Sequence, residues 1–407
     1  MRAKKFNPDV IIVGGGPAGM TLAALLADQG VKTLSLDREP VARQHDLTQD
    51  GRTMAISWGS QKVLDRAGVW EVLAPRACPI EQIDITDGDS PVLLTFQAQE
   101  TQADAFGWIV DLVLIRKALF ARLETLNTAQ HITEAAVVDF VREDHQVTVV
   151  LEDGRRFSAP LVIGADGRQS RIRDLMGIGT RGWDYNQTAL VCTVTHENPH
   201  DYIALENFRE SGPFAILPMT DTPDGLHRSS VVWAQHIRPG RTPAPMTWDE
   251  DTFNAALQAR FPARYGRVKF LGKRFCFPLN FVHAHDYVAP RMALIADAAH
   301  GMHPIAGQGL NLGYRDVALL GRLIPAAVAA GKDPGADSLL QDYQRARRVD
   351  NMAMMGTTDF FVRLFSNAVP PVALARKMGL RAVDRLPFAK RFFMKQAMGD
   401  SRFIFQD

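Results

Sequence analysis

Asp9–Asp37 reads DVIIVGGGPAGMTLAALLADQGVKTLSLD, an apolar strand that runs into Gly14-Gly15-Gly16-Pro17-Ala18-Gly19 and then into a helix. Apolar residues recur at helical spacing after Pro17, Gly30 punctuates the run, and a second strand, Val31–Leu36, ends in Asp37. Gly14 allows the tight turn, Gly16 lets backbone approach a pyrophosphate, and Gly19 lets the helix pack close to the strand. Asp37 follows Gly19 by eighteen residues and is placed to accept from ribose hydroxyls. A lone GxGxxG is weak. Strand, helix, second strand and terminal acid within about 30 residues point to a dinucleotide, without deciding between NAD and FAD.

A second stretch, MALIADAAHGMHPIAGQGLNLGYRD (Met292–Asp316), repeats the logic late in the chain. Met292–Ile295 reads as a buried parallel strand. Asp297 follows at its C-terminal end, where open α/β sheets place their ligands. Ala306-Gly307-Gln308-Gly309 holds no large residue, and an apolar-periodic run from Leu310 through Leu323 continues as a helix. Small residues let a flat ligand lie against the main chain, and a helix start offers free N–H groups. A structural βα turn would share these features. Leu161–Arg173, LVIGADGRQSRIR, supplies another strand end with acid and glycine, Asp166 and Gly167, before a basic helix start. Three such ends suggest one shared crevice.

Around these units the chain of 407 residues has room for two or three domains. Its 46% apolar and 22% charged residues are those of a soluble globular protein, and a formal charge of +1 gives no signal for nucleic acid. Cys78, Cys192 and Cys276 lie far apart without CxxC or metal-ligand spacing, which argues for a reducing compartment and against a disulfide framework. No apolar run reaches the roughly 18 residues of a membrane span. The default location is cytoplasmic.

Arg52 sits in QDGRTMAISWGSQKVLDRAGVW (Gln49–Trp70) just before a segment that reads as a helix. It is either a solvated loop charge or a partner of a cofactor's phosphates. Arg116, in the first half of the helix Leu112–Leu126, poses the same choice. From Trp183 to Tyr287 short β-branched segments (Ala189–Thr195, Ala215–Leu217, Ser229–Ala234) alternate with Pro, Gly and Asp turns, and Thr247–Arg260 is the clear helix. Ser338 is the expected N-cap of a long helix through Met355. From Phe360 to Gln396 eight Lys/Arg face one acid, Asp384, with Phe, Leu and Met interleaved. That composition suits an interfacial segment or a helical cap with its greasy face on the core.

The reading is α/β: a discontinuous Rossmann-like nucleotide domain (1–75, 102–182 and 286–337), an inserted mainly antiparallel β domain for substrate (76–101 and 183–285), and a C-terminal helical region (338–407).

The order and spacing of Gly14-x-Gly16-x-x-Gly19, Gly164-Ala165-Asp166-Gly167 and Asp297–Asn311 resemble those of the group A FAD-dependent aromatic monooxygenases, which are similar to para-hydroxybenzoate hydroxylase. More narrowly, HPIAGQGLNLGYRD (His303–Asp316), DGRTMAIS, WDYNQTALVCTVTHENPH (Trp183–His200) and GPFAILP (Gly212–Pro218) resemble the ubiquinone-biosynthesis hydroxylases of the UbiH type. The resemblance covers nearly the whole chain. One departure is Ala296-Asp297, where the family usually has Gly-Asp; FAD is expected to be retained, with shifted packing near the ribitol.

The resemblance implies an FAD-binding domain. Gly14, Gly16 and Gly19 would hold the pyrophosphate, Asp37 the adenosine ribose, and Val137 would lie by the adenine. Arg52 and Arg116 match family positions near the FAD, and Asp166 would touch the crevice. Asp297 would bond the ribitol or pyrophosphate. Backbone at Gly307, Gln308, Gly309, Leu310 and Asn311 would face the isoalloxazine, with His303 and Pro304 on the substrate side. The implied reaction hydroxylates the ring of a prenylated phenol or quinone intermediate of ubiquinone synthesis, with O₂ and NAD(P)H as a transient co-substrate, through a flavin C4a-hydroperoxide. No catalytic triad or metal is then required, because the cofactor does the hard step. A membrane-soluble substrate gives the basic C-terminal region a purpose, docking at the inner face of a membrane or packing with other ubiquinone-biosynthesis proteins. The alternatives are the same chemistry on a soluble phenol, an isoprenoid reductase or a halogenase, and a non-catalytic flavoprotein scaffold; the halogenase W-x-W-x-I-P run is absent.

Overall fold

Val10–Val13, four apolar residues, can be buried on both faces, and in the computed structural model, which describes residues 6–237, 240–302, 307–365 and 370–399, they form an inner strand of a six-stranded sheet. Thr33–Leu36 and Leu161–Gly164 flank it in parallel. Ala129–Ile132 and Met292–Leu294 extend the sheet, and Val288–Ala289 adds a short antiparallel edge. Each Ile or Leu sealed in this sheet contributes about 1.5–3 kcal/mol. The helix Pro17–Asp28 packs between the helices Leu112–Thr125 and Gln308–Ala329. Register decides where the strands end. Val13 lies opposite both Leu36 and Gly164, and Gly164 lies opposite Leu294, so four strand ends stand side by side.

The second large sheet has eight strands, in the order His300–Gly301, Val268–Ala284, Thr180–His196, His227–His236, Phe214–Met219, Ile203–Phe208, Gln82–Asp87 and Leu94–Gln97. Its pairs are antiparallel except for Ile203–Phe208 with Gln82–Asp87. Two of its strands run for 17 residues where the sequence pattern shows short pieces. Register shifts at Asp184/Gln187 and Val191/Thr193 break the alternation, so each long strand reads as fragments. One face buries Leu190, Phe214, Ile216 and Trp233 against Phe253 and Leu257 of the helix Glu250–Gln258. The opposite face meets the strand Thr53–Ser57, where Thr53 Oγ1 donates to Ser230 Oγ at 2.8 Å.

Two expectations are corrected here. The segment after Arg52 is that strand, Thr53–Ser57; the helix starts only at Trp58, with Ser57 Oγ accepting from Ser60 N. The β-branched and apolar residues at 53–56 fill a sheet edge opposite Gly107–Asp111 before the chain can turn. The long helix begins at Asp337 rather than after Ser338 and continues to Phe365.

The helices Pro370–Arg385 and Pro387–Ala397 lie against the second sheet. Leu380, Met394 and Met398 are buried with Phe96, Phe106, Ile109 and Phe208. Arg376, one of the eight basic residues of this region, is turned inward: Nη2 donates to Asp87 Oδ1 at 2.8 Å, Nε to Asp87 Oδ2 at 3.0 Å, and Nη1 to the Leu364 carbonyl at 3.0 Å. Lys390 pairs with Glu100 at 2.7 Å. The inner side of this region is therefore a packed cap.

Arg376→Met strands a buried carboxylate, and a loss of about 3–5 kcal/mol is expected from the urea midpoint. Adding Asp87→Leu should recover most of that loss; a double variant as unstable as the single one would refute the pairing.

Candidate active site

The four aligned strand ends are kept bare by glycine. Gly14 has φ +120°, and a Cβ there would collide with the Ala165 carbonyl; at Gly19 it would collide with the Gly14 carbonyl. Gly16 differs from both. A Cβ at Gly16 would meet nothing within 4 Å, so this backbone borders open space at the start of the helix Pro17–Asp28. Asp37 stands at the next strand end with its carboxylate already oriented, Oδ2 accepting from Gly15 N and Oδ1 from Glu39 N at 2.6 Å. Ala135 N donates to the Asp37 carbonyl at 2.8 Å, which draws the segment leading to the buried Val137 alongside.

Arg52 and Arg116 come together, and the residue that joins them, Asp50, was not singled out by its sequence context. Arg52 Nε and Nη2 donate to the two Asp50 oxygens at 2.8 and 2.6 Å, and Arg116 Nη1 reaches Oδ2 at 3.3 Å. Burial works against the Asp50 carboxylate, but the guanidiniums outweigh it and hold the group below the usual carboxylate range. The Arg52 guanidinium also lies 4.9 Å over the Phe277 ring, on the face of the second sheet. One carboxylate facing two guanidiniums leaves local positive charge beside the crevice, which suits an anionic group.

Asp166 is used differently from the expectation. Its Oδ1 accepts from Ser170 Oγ at 2.5 Å and its Oδ2 from Ile172 N at 3.1 Å, so the carboxylate braces the start of the short helix Arg171–Leu175, whose N-cap is Ser170. The side chain that crosses from this strand end to Asp297 is Arg168. Its Nη2 lies 3.2 Å from Asp297 Oδ2 and donates to the Met302 carbonyl at 3.1 Å, while Nη1 donates to Asn280 Oδ1 at 2.9 Å. A basic residue after Asp-Gly was the available signal; its partner 129 positions away carried none.

Ala296 has φ +52°, a left-handed conformation that favours glycine. Its N–H donates to Asp316 Oδ2 at 2.8 Å, and its methyl group lies against Gly313 of the helix Gln308–Ala329. That helix start is fixed from behind. Asn311 Oδ1 accepts from Ser57 N at 3.0 Å, and its Nδ2 donates at 2.9 Å to both the Ala55 and the Gly307 carbonyls. Gly307, at φ +63°, faces the Ala55 methyl, and Gln308 Nε2 donates to the Ala397 carbonyl at 3.3 Å. A Cβ on Gly309 would find only Met302 Cγ, at 3.8 Å, and Leu310 is half-buried. The expected substrate-side pair, His303 and Pro304, lies outside the described residues, as does Ala306.

Behind the loop an ionic network, fully buried at Asp316, His300 and Arg347, ties the site to the long helix Asp337–Phe365. Asp316 Oδ2 lies 2.6 Å from His300 Nε2, and its Oδ1 accepts from Arg347 Nε at 2.7 Å. Arg347 also donates to Asp350, to Asn351 Oδ1 at 2.7 Å and to the Leu312 carbonyl at 3.3 Å. Burial alone would raise the Asp316 carboxyl, but His300 and Arg347 override it and hold the group at about 2.

These parts can hold one long ligand: an anion at the Gly16 notch, hydroxyls at Asp37 and Asp297, and a flat ring at the bare helix start. That description fits FAD.

Comparison with known proteins agrees. Residues 7–358 match the family model described as FAD binding domain. The ubiquinone hydroxylase UbiL of Rhodospirillum rubrum is 44% identical over 96% of this chain and 89% of its own length. The 3-demethoxyubiquinol 3-hydroxylase of Escherichia coli is 33% identical over 96% and 98%. The fold is that of the p-nitrophenol 4-monooxygenase PnpA from Pseudomonas putida DLL-E4, with TM-score 0.78, 18% identity and coverage of 97% of this chain and 99% of that one.

The Ala296–Gly313 contact is testable. A methyl group at residue 313 would lie 2.7 Å from the Ala296 Cβ. Gly313→Ala should therefore lose roughly 1–3 kcal/mol through overpacking. Ala296→Gly in the same protein removes the opposing methyl group and the left-handed strain, about 1–2 kcal/mol by itself. Thermal melting and flavin content should recover in the double variant; a double variant melting with Gly313→Ala would disprove the contact.

Proposed function

This chain belongs to the FAD binding domain family and, within it, to the flavin-dependent hydroxylases of the ubiquinone-biosynthesis type, and from that premise we propose that it hydroxylates the ring of a prenylated phenol or quinol. In the net reaction a ring C–H becomes C–OH with one atom of O₂, the other leaves as water, and NAD(P)H with one proton supplies the two electrons. FAD, when bound, supplies the redox chemistry that passes reducing equivalents to O₂ and delivers an electrophilic oxygen. The protein's part is to hold, orient and exclude water.

The observation that carries the reading is the alignment of four glycine- or acid-bearing strand ends around the open notch at Gly16. In this reading Gly14, Gly16 and Gly19 shape the pyrophosphate seat, Asp37 takes the adenosine ribose and Val137 lies by the adenine. Arg52 and Arg116 offer positive charge near the phosphates, with Asp50 fixing their geometry. Asp297, steadied by Arg168, takes the ribitol or pyrophosphate. The first N–H groups of the helix Gln308–Ala329 lack intrahelical acceptors and face the electron-rich edge of the ring system. We assign His303 and Pro304 the substrate-side role that the resemblance implies. NAD(P)H binds transiently, without a nucleotide domain of its own.

The relatives' roles in ubiquinone chemistry support a prenylated substrate, and so does the outer side of the C-terminal helices. Met378, Leu386, Phe388 and Phe392 are exposed there, and Arg381, Arg385, Arg391 and Lys395 are exposed beside them. Along the helix Pro387–Ala397 the spacing 388, 392, 395 keeps Phe388, Phe392 and Lys395 on one face. Among the described residues no helix is long and apolar enough to cross a membrane. A lipid-dissolved ring is then met at the surface, with the phenylalanines at the acyl boundary and the basic side chains on anionic headgroups.

Lipid mass spectrometry of cells lacking this gene should show a prenylated precursor one ring oxygen short, cleared when the gene is restored; an unchanged quinone profile would redirect the reading to a soluble phenol. In flotation with phosphatidylglycerol vesicles, the Phe388→Ser/Phe392→Ser variant should bind roughly tenfold more weakly or worse. Equal flotation of variant and parent would remove the membrane contact.

A further inference from the structure

Glu206 occupies the strand Ile203–Phe208, paired with Ala215 on one side and Ile85 on the other. Alternation along the strand sends Leu205 to the face under the helix Glu250–Gln258 and sends Ala204, Glu206 and Phe208 to the opposite face. The apolar cluster on that face includes Phe106, Leu217, Met394 and Ala55. Ala55 is the residue whose methyl group faces Gly307 and whose carbonyl accepts from Asn311. Glu206 therefore stands in a greasy wall that reaches across to the bare loop at the helix start.

A carboxylate in such a wall needs donors. Among the described residues Glu206 has none, whereas the buried Asp87 on the neighbouring strand has Arg376 and the buried Asp316 has His300 and Arg347. Burial alone pushes the Glu206 carboxyl up to about 7, with no charged neighbour contributing. Yet the residue keeps part of its surface open. The carboxylate is thus set among apolar side chains without being sealed off. An unpaired acid at a position that leucine would pack better leaves a hydrogen-bond acceptor open to a ligand.

We propose that Glu206 accepts a hydrogen bond from a ring hydroxyl of the phenolic substrate and so fixes how the ring is rotated over the Gly307–Asn311 loop. This rests on the hydroxylase reading above and names the contact that positions its substrate. The hydrogen bond raises electron density at the carbons ortho and para to the hydroxyl, and Ile85, Leu217 and Phe208 supply apolar surface for the ring and its tail. No proton has to leave the pair for this role.

The test uses the full-length, FAD-loaded protein with 2-geranylphenol and its methyl ether, which lacks the donor. Affinity is read from the perturbation of flavin absorbance. Above pH 8, where the Glu206 carboxyl is ionised, the unaltered protein should prefer the phenol by roughly tenfold or more, the worth of a hydrogen bond to a charged acceptor. Glu206→Leu should lose that preference while keeping its FAD content and its affinity for the ether. Glu206→Gln, which retains an acceptor oxygen and the side chain's shape, should keep part of it and guards against a leucine variant that fails to fold. An unaltered protein that hydroxylates the phenol but binds the ether equally well overturns the assignment, as does a leucine variant that still discriminates. If no phenol stimulates NAD(P)H oxidation, the hydroxylase reading falls, and the assignment falls with it.

Discussion

The carboxylate of Asp316 is the constraint on which this architecture depends. Fully buried, it accepts from the backbone of Ala296, from His300 and from Arg347. Those partners belong to the strand end beside Asp297, to the edge of the second sheet and to the long helix Asp337–Phe365. Both sheets and the long helix are thus referred to one charge. An isolated buried carboxylate would be prohibitive, whereas this one is matched by a guanidinium that is itself satisfied by Asp350, Asn351 and the Leu312 carbonyl. Such a pair adds little net stability over a greasy substitute. It does impose geometry, because hydrogen bonds to a carboxylate tolerate less displacement than apolar contact. The helix start at Gly307–Asn311 is held by that geometry.

The crevice in front is made by subtraction. Gly14 and Gly19 let main chains approach more closely than any side chain would allow, and Gly16 leaves a notch at the helix start. Charge is placed beside the notch in the same sparing way, as two guanidiniums oriented by one carboxylate. Ala296 shows how far the design can bend. A methyl group in a left-handed position is accommodated because the facing helix residue is Gly313, so the two positions share one allowance of volume.

Much of this was legible in the chain before its structure. The strand–glycine–helix unit declared itself because its signals are local: apolar runs, glycine spacing and a terminal acid fall within a few dozen residues. The return of the first sheet after the inserted strands was legible for the same reason at Met292–Leu294. What escaped were partnerships between distant residues. Nothing near Asp50 announces that it joins Arg52 to Arg116, and nothing near Arg347 points to Asp316. Arg376 looked like one more base in a basic tract, yet it reaches Asp87 across nearly 290 positions. The 17-residue strands were hidden by their own bulges, which interrupt the alternation by which strands are recognised.

The register of the first sheet also has a consequence for how the protein is made. Val10–Val13 leaves the ribosome well before Met292–Leu294, which completes the row of strand ends and emerges only after the whole intervening sheet has been synthesised. Until then Leu161–Gly164 is an unpaired apolar edge, the kind of surface that invites aggregation. The glycine turn meanwhile has no helix start opposite it, since Gln308–Ala329 comes later still. A nascent chain can therefore fold its pieces but cannot close around a flavin. Cofactor capture belongs to the last stage of assembly, and cells short of the cofactor would accumulate fully synthesised chains with an open crevice.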